Sequence, residues 1–128
     1  MVDLLIVLQN AYGVEEGYVP SYDKESFRNC HTARRLKEVI PENIEIKIIN
    51  SNPKVGLISS SYFKPDREYV NNEISKYSPK VILFCGCNGK ILMDEIKFVN
   101  SIHMPHPAYR ALTKKITNDV KEKIKEML

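Results

Sequence analysis

No run of residues in this chain of 128 is long and apolar enough to cross a bilayer. The opening "MVDLLIVLQN" carries Asp3 and lacks the basic start and small-residue cleavage site of a signal peptide. Cysteine is scarce: Cys30, Cys85 and Cys87 form an odd set with no disulfide framework, which fits a reducing compartment. Repeats, low-complexity tracts and Pro/Gly/Ser-rich linkers are missing too, so a single domain over 1–128 is expected. Charge of one sign hardly dominates: 19 basic against 16 acidic residues leave +3, which permits a polyanionic partner only if the basic residues cluster. These absences predict a cytoplasmic globular protein, expected as a monomer with no membrane partner.

Four short apolar runs remain, and each reads as a strand. They are Leu4–Leu8 "LLIVL", Ile44–Ile49 "IEIKII", Val81–Cys85 "VILFC" and Ser101–Met104 "SIHM". The first and third are continuous aliphatic runs, as in strands covered on both faces. Helical spacing separates them. Phe27, Cys30, Ala33, Leu36 and Ile40 predict a helix from a Ser26 cap to a Pro41 stop. A second helix is predicted from near Pro65 to before Pro79, a third after Gly89, and a last from about Ala108 to the end. Alternation of this kind predicts an α/β fold, a three-layer sandwich with a four-stranded parallel sheet flanked by helices.

Parallel sheets bind ligands in the loops that follow their strands. Here those loops are "QNAYG" at 9–13, "NSNP" at 50–53, "GCNG" at 86–89 and "PHPAYR" at 105–110. Asn10 either closes its turn or positions a water or polar substrate beside Tyr12. Asn50 either caps a strand end or grips the edge of a base, since an amide both donates and accepts. The chain after it, "SNPKVGLISSSYFKP", is long for a compact domain, a length common in functional loops.

Cys85 and Cys87 lack the usual structural-zinc spacing and read as buried thiols around a Gly86/Gly89 turn; no metal is expected. "GCNGK" is neither a Walker loop nor a dinucleotide fingerprint. His106 is the sharpest candidate. Pro105 and Pro107 restrict its backbone, and at a predicted helix start a neutral imidazole can donate to a carbonyl or a developing oxyanion. The plainer alternative is a histidine satisfied by a backbone carbonyl in a proline turn. His103, within a strand, reads as structure. Arg110 and Lys114 adjoin the histidine loop, where they can meet phosphates.

Taken in order, these loops resemble the uracil-DNA glycosylase superfamily, an α/β fold with a four-stranded parallel sheet. "LQNAYG" is similar to that family's GQDPYH motif at Gln9 and Tyr12 and to its GINPG variant at Asn10. "HPAYRA", from His106 to Ala111, resembles the HPSP or HPAY motif that leads into a DNA-wedging loop. "YSPKVILFCGCNGKIL" is similar to the family's third strand and following helix. The resemblance implies a monofunctional DNA glycosylase that hydrolyses the N-glycosidic bond of uracil or a related deaminated base swung out of the stack.

It also implies roles for particular residues. Asn10 would orient the attacking water and His106 would stabilise charge on the leaving base. Asn50 would read the base edge with help from Gln9. Phe27, or else Tyr12, would stack on the base, and Tyr109, Arg110 and Lys114 would contact DNA. The implied partner is single-stranded or mismatched uracil-containing DNA. No lysine is placed by the motifs as a Schiff-base nucleophile, so strand cleavage is not expected.

This chain departs from the pattern in three ways. Asn10 stands where the most active branch has aspartate, and losing that charge would cost about 2–4 kcal/mol of transition-state stabilisation. Three cysteines cannot ligate an iron–sulfur cluster, so no cofactor is expected. Arg110 replaces the usual apolar wedge, which favours single strands over duplex. The alternative expectation is a weak or inactive superfamily member that binds nucleic acid, a nucleobase or a nucleotide.

Overall fold

The computed structural model describes residues 1–9, 11–12, 14, 18–57 and 63–128. Its strands are β1 (Leu4–Leu8), β2 (Ala11–Tyr12), β3 (Ile46–Asn50), β4 (Val55–Gly56), β5 (Val81–Cys85) and β6 (Ser101–Met104). Its helices are α1 (Glu25–Arg28), α2 (His31–Leu36), α3 (Arg67–Tyr77), α4 (Gly86–Ile96) and α5 (Lys114–Met127). Four strands form one all-parallel sheet in the order β3-β1-β5-β6, with Leu8 opposite Asn50 and Cys85 opposite Met104. The short β2 and β4, which the sequence pattern does not reveal, pair in parallel beside it.

Period-2 alternation divides each strand between two cores. Leu4, Ile6 and Leu8 of β1 meet Phe27, Ala33 and Leu36 of α1 and α2, together with Val120 and Ile124 of α5. Leu5 and Val7 face the other way, toward Val70 of α3 and Leu92 of α4. Every residue of β1 and β5 is buried, as expected of strands covered on both sides. The α/β three-layer sandwich therefore holds.

Connection geometry explains where the sheet opens. Parallel crossovers are right-handed, so a reversal of direction puts the helix on the opposite face. From β1 the chain moves outward to β3 through α1 and α2 on one face. It then returns across β1 to β5 through α3 on the other. The loops leaving β1 and its neighbours part above the carboxyl ends, where open α/β sheets bind ligands.

Four boundaries differ from expectation. The helix predicted from Ser26 to Pro41 is two short ones, because Cys30 adopts extended backbone and its Sγ accepts from the Ala33 N–H to start α2. The second strand starts at Ile46 rather than Ile44 and extends to Asn50. The third helix starts directly at Gly86, not after Gly89. The last begins only at Lys114, capped by the Thr113 hydroxyl on the Ile116 N–H. Hence His106 is not at a helix N-terminus; it sits in a turn closed by the Tyr109 N–H on the His106 carbonyl, 2.8 Å. Cys87 is also not a buried thiol: it is exposed, whereas Cys85 is buried.

Candidate functional site

The ends of β1 and β3 are locked together before any side chain reaches outward. Ser51, fully buried, donates its N–H to the Leu8 and Gln9 carbonyls, and its Oγ donates to the Gln9 carbonyl at 2.6 Å. Asn88, on the first turn of α4, donates from Nδ2 to Ser51 Oγ at 3.2 Å and to the Phe63 carbonyl at 3.0 Å. Three loops thus share one buried polar knot. Such knots are rigid when satisfied and costly to cut. Among the described residues, the Asn88 Oδ1 is buried without a partner.

Above this knot lies a cleft of about 340 Å³, in the size range of small-molecule sites. Gln9 from the end of β1, Asn50 from the end of β3, Phe27 from α1 and His106 from the loop after β6 all line it. Tyr18, Pro20 and Cys30 also line it. Asn50, which lines the cleft, is 8% exposed. An amide held in a cleft in this way offers a donor and an acceptor to a ligand.

His106 is fixed from three sides. Its Nδ1 accepts the Ala108 N–H at 3.1 Å, which in the neutral ring leaves the proton on Nε2. Burial lowers its pKa below the ordinary histidine value, favouring that neutral donor form. Gly86, at φ +75°, lies behind it: a Cβ there would stand 3.5 Å from the His106 Cβ. His103 Nε2 meets the Gly86 carbonyl at 2.8 Å, so the strand histidine braces the corner on which the other rests. The loop's far end is held by Arg35, whose Nη2 donates to the Leu112 carbonyl.

Of the other expected site residues, three lie away from the cleft and the side chains of two are not described. Asn10 lies outside the described residues, as does the side chain of Tyr12. Arg110, Lys114 and Tyr109 are exposed and do not line the cleft, although Ala108 beside them does. Phe27 is only 7% exposed, its ring packed against Tyr22 with centroids 5.6 Å apart. Tyr18 is the aromatic that sequence reasoning missed. It is half-buried on the cleft wall, its phenol pKa raised by burial, with the Lys24 Nζ 4.8 Å from its ring centroid. No periodicity marked it, since it stands in a loop.

Among the described residues, no group of three His, Cys, Asp or Glu side chains converges as a metal site requires. No carboxylate of the described residues lines the cleft. Comparison with protein-family models, curated proteins and solved structures finds no match.

Proposed function

We propose that the cleft receives a nucleobase and that the protein is a monofunctional DNA glycosylase of the uracil-DNA glycosylase type, acting on uracil or a related deaminated base. The observation that carries the reading is the convergence of Gln9, Asn50, Phe27 and His106 on one cleft from four separated parts of the chain. The four-stranded parallel sheet is also the architecture that the sequence resemblance implies.

In this reading the Asn50 amide pairs with a base edge that itself carries a carbonyl and an N–H, as uracil does. Aromatic surface from Tyr18 and the edge of Phe27 covers the ring. The C1′–N bond then breaks with its electron pair leaving on the base. The His106 Nε2–H donates to the oxygen where that charge gathers, stabilising the anion. A water, which Asn10 is assigned to orient, adds its oxygen to C1′, and the proton it loses neutralises the departed base anion.

One observation favours a second reading, binding without turnover: the described cleft wall offers no carboxylate to stabilise a positively charged sugar. Incubation with single-stranded and duplex oligonucleotides bearing uracil or hypoxanthine, followed by alkali, separates the two. Alkali-labile sites that vanish in His106→Ala and Asn10→Ala support the enzyme. Binding that His106→Ala weakens, with no abasic product on any substrate, supports the second.

A further inference from the structure

A second groove, of about 240 Å³, runs between the β3 edge and α3. Tyr18, Pro20 and Asn50 line both this groove and the His106 cleft, so the two cavities adjoin. Its walls differ in chemistry from the cleft. Tyr69 and Tyr77 of α3 supply aromatic surface, and Lys47 of β3 and Lys76 of α3 supply positive charge. The two ammonium groups gather at one ring: each lies 5.2 Å from the Tyr77 centroid. Glu73 also faces the groove and helps, with burial as the larger cause, to raise the Tyr69 phenol pKa.

Tyrosine faces interleaved with lysines are how proteins hold unpaired bases and the phosphates that join them. Glu73 argues against a bare polyanion such as free phosphate. A nucleotide suits the mixture better, because its base can meet a carboxylate through an exocyclic amine while its phosphate meets the lysines. We infer that this groove holds the nucleotide adjacent to the one whose base enters the His106 cleft, making the ligand single-stranded DNA of at least two nucleotides. The inference rests on the nucleobase reading above and extends it from a base to a strand. A paired base has its edge already occupied and its faces stacked, so duplex DNA does not fit a groove of this shape without unpairing.

The test uses the full chain and two probes. One is the nucleoside 2′-fluorodeoxyuridine, whose electron-withdrawing substituent slows base loss; the other is a fluorescent single-stranded pentanucleotide with that residue at its centre. The pentanucleotide is expected to bind more tightly than the nucleoside. In Lys47→Ala/Lys76→Ala its affinity should fall about tenfold or more, and its salt slope by roughly 0.7 for each phosphate no longer held. Nucleoside affinity, which also reports correct folding, should stay unchanged. Lys47→Arg/Lys76→Arg should restore strand binding.

Lys121→Ala/Lys125→Ala, which removes the same charge around a separate hollow with Pro41, Ile44 and Leu128, should leave both probes unaffected. If the Lys47/Lys76 variant binds the pentanucleotide as the wild type does, or loses no more than the Lys121/Lys125 variant, the groove is not a strand site, while the nucleobase reading stands. If the wild type binds neither probe, the nucleobase reading itself fails and takes this inference with it.

Discussion

His106 carries most of the proposed chemistry through a proton it must keep in one place. Because Nδ1 is occupied by the Ala108 N–H, protonating the ring breaks that bond as well as charging a buried group. Base binding should therefore be flat at neutral pH and fall on acidification, beginning below the ordinary histidine pKa of about 6.5. Stability should follow the same sign. A depressed native pKa means the unfolded chain takes the proton first. The stabilisation is thus full above about 6.5 and lost as pH falls toward the lower native value. His106→Gln should flatten both acid limbs, which a pH series of thermal melts and binding titrations would reveal.

Ser51 offers a second residue-scale test. Ser51→Ala removes the donor to the Gln9 carbonyl and one acceptor of Asn88 in a fully buried setting, at a cost of about 1–3 kcal/mol in denaturant unfolding. The residues of the site were legible from the chain to the extent that loops after strands are rich in amides, glycine and histidine. Tyr18 was not legible, because a loop tyrosine carries no period and only the fold brings it to the same cleft as Asn50.

Elements were readable where side-chain periodicity coincides with burial, and their ends were not where capping decides. β1, β5 and β6 match the runs read from the sequence residue for residue. Burial on both faces leaves no room for polar residues in β1 and β5, whereas the edge strand β6 alternates buried Ile102 and Met104 with half-buried Ser101 and His103. Helix starts depended instead on single side chains: the Cys30 thiol, the Asp66 carboxylate and the Thr113 hydroxyl each accept one backbone N–H. Thr113→Ala should cost about 1 kcal/mol and loosen the chain leading back to His106.

At the start of α4 the constraint is steric. A Cβ at Gly89 would stand 2.8 Å from the Phe84 carbonyl carbon, so the helix must move off β5. Gly89→Ala should destabilise by roughly 1–3 kcal/mol in a denaturant titration, and nucleobase affinity should fall with the displaced Asn88–Ser51 knot. An alanine there with wild-type stability would contradict the close packing of α4 on β5.

For the whole molecule, sheet order is what creates a site. The reversal of direction between the β1–β3 and β3–β5 crossovers parts the loops, and the ends of β1, β3 and β6 then surround one cleft. Net charge is too small to drive nucleic-acid binding by itself, so affinity for DNA should depend on local lysines more than on the +3 total. Binding of a single strand is accordingly expected to weaken with salt by a slope near roughly −0.7 for each phosphate held. A slope near zero would argue that the cleft takes a base without its backbone.

The amino-acid sequence alone determined the fold class, the four sheet strands and the set of loops worth searching. Hydrophobic period and strand-to-loop transitions are local properties of a chain. Only the tertiary structure decided that Asn50, far from His106 in sequence, shares its cleft and that Tyr18 joins them. It also decided that the histidine rests on Gly86 rather than at a helix start, because long-range packing and the handedness of crossovers are written in no single segment.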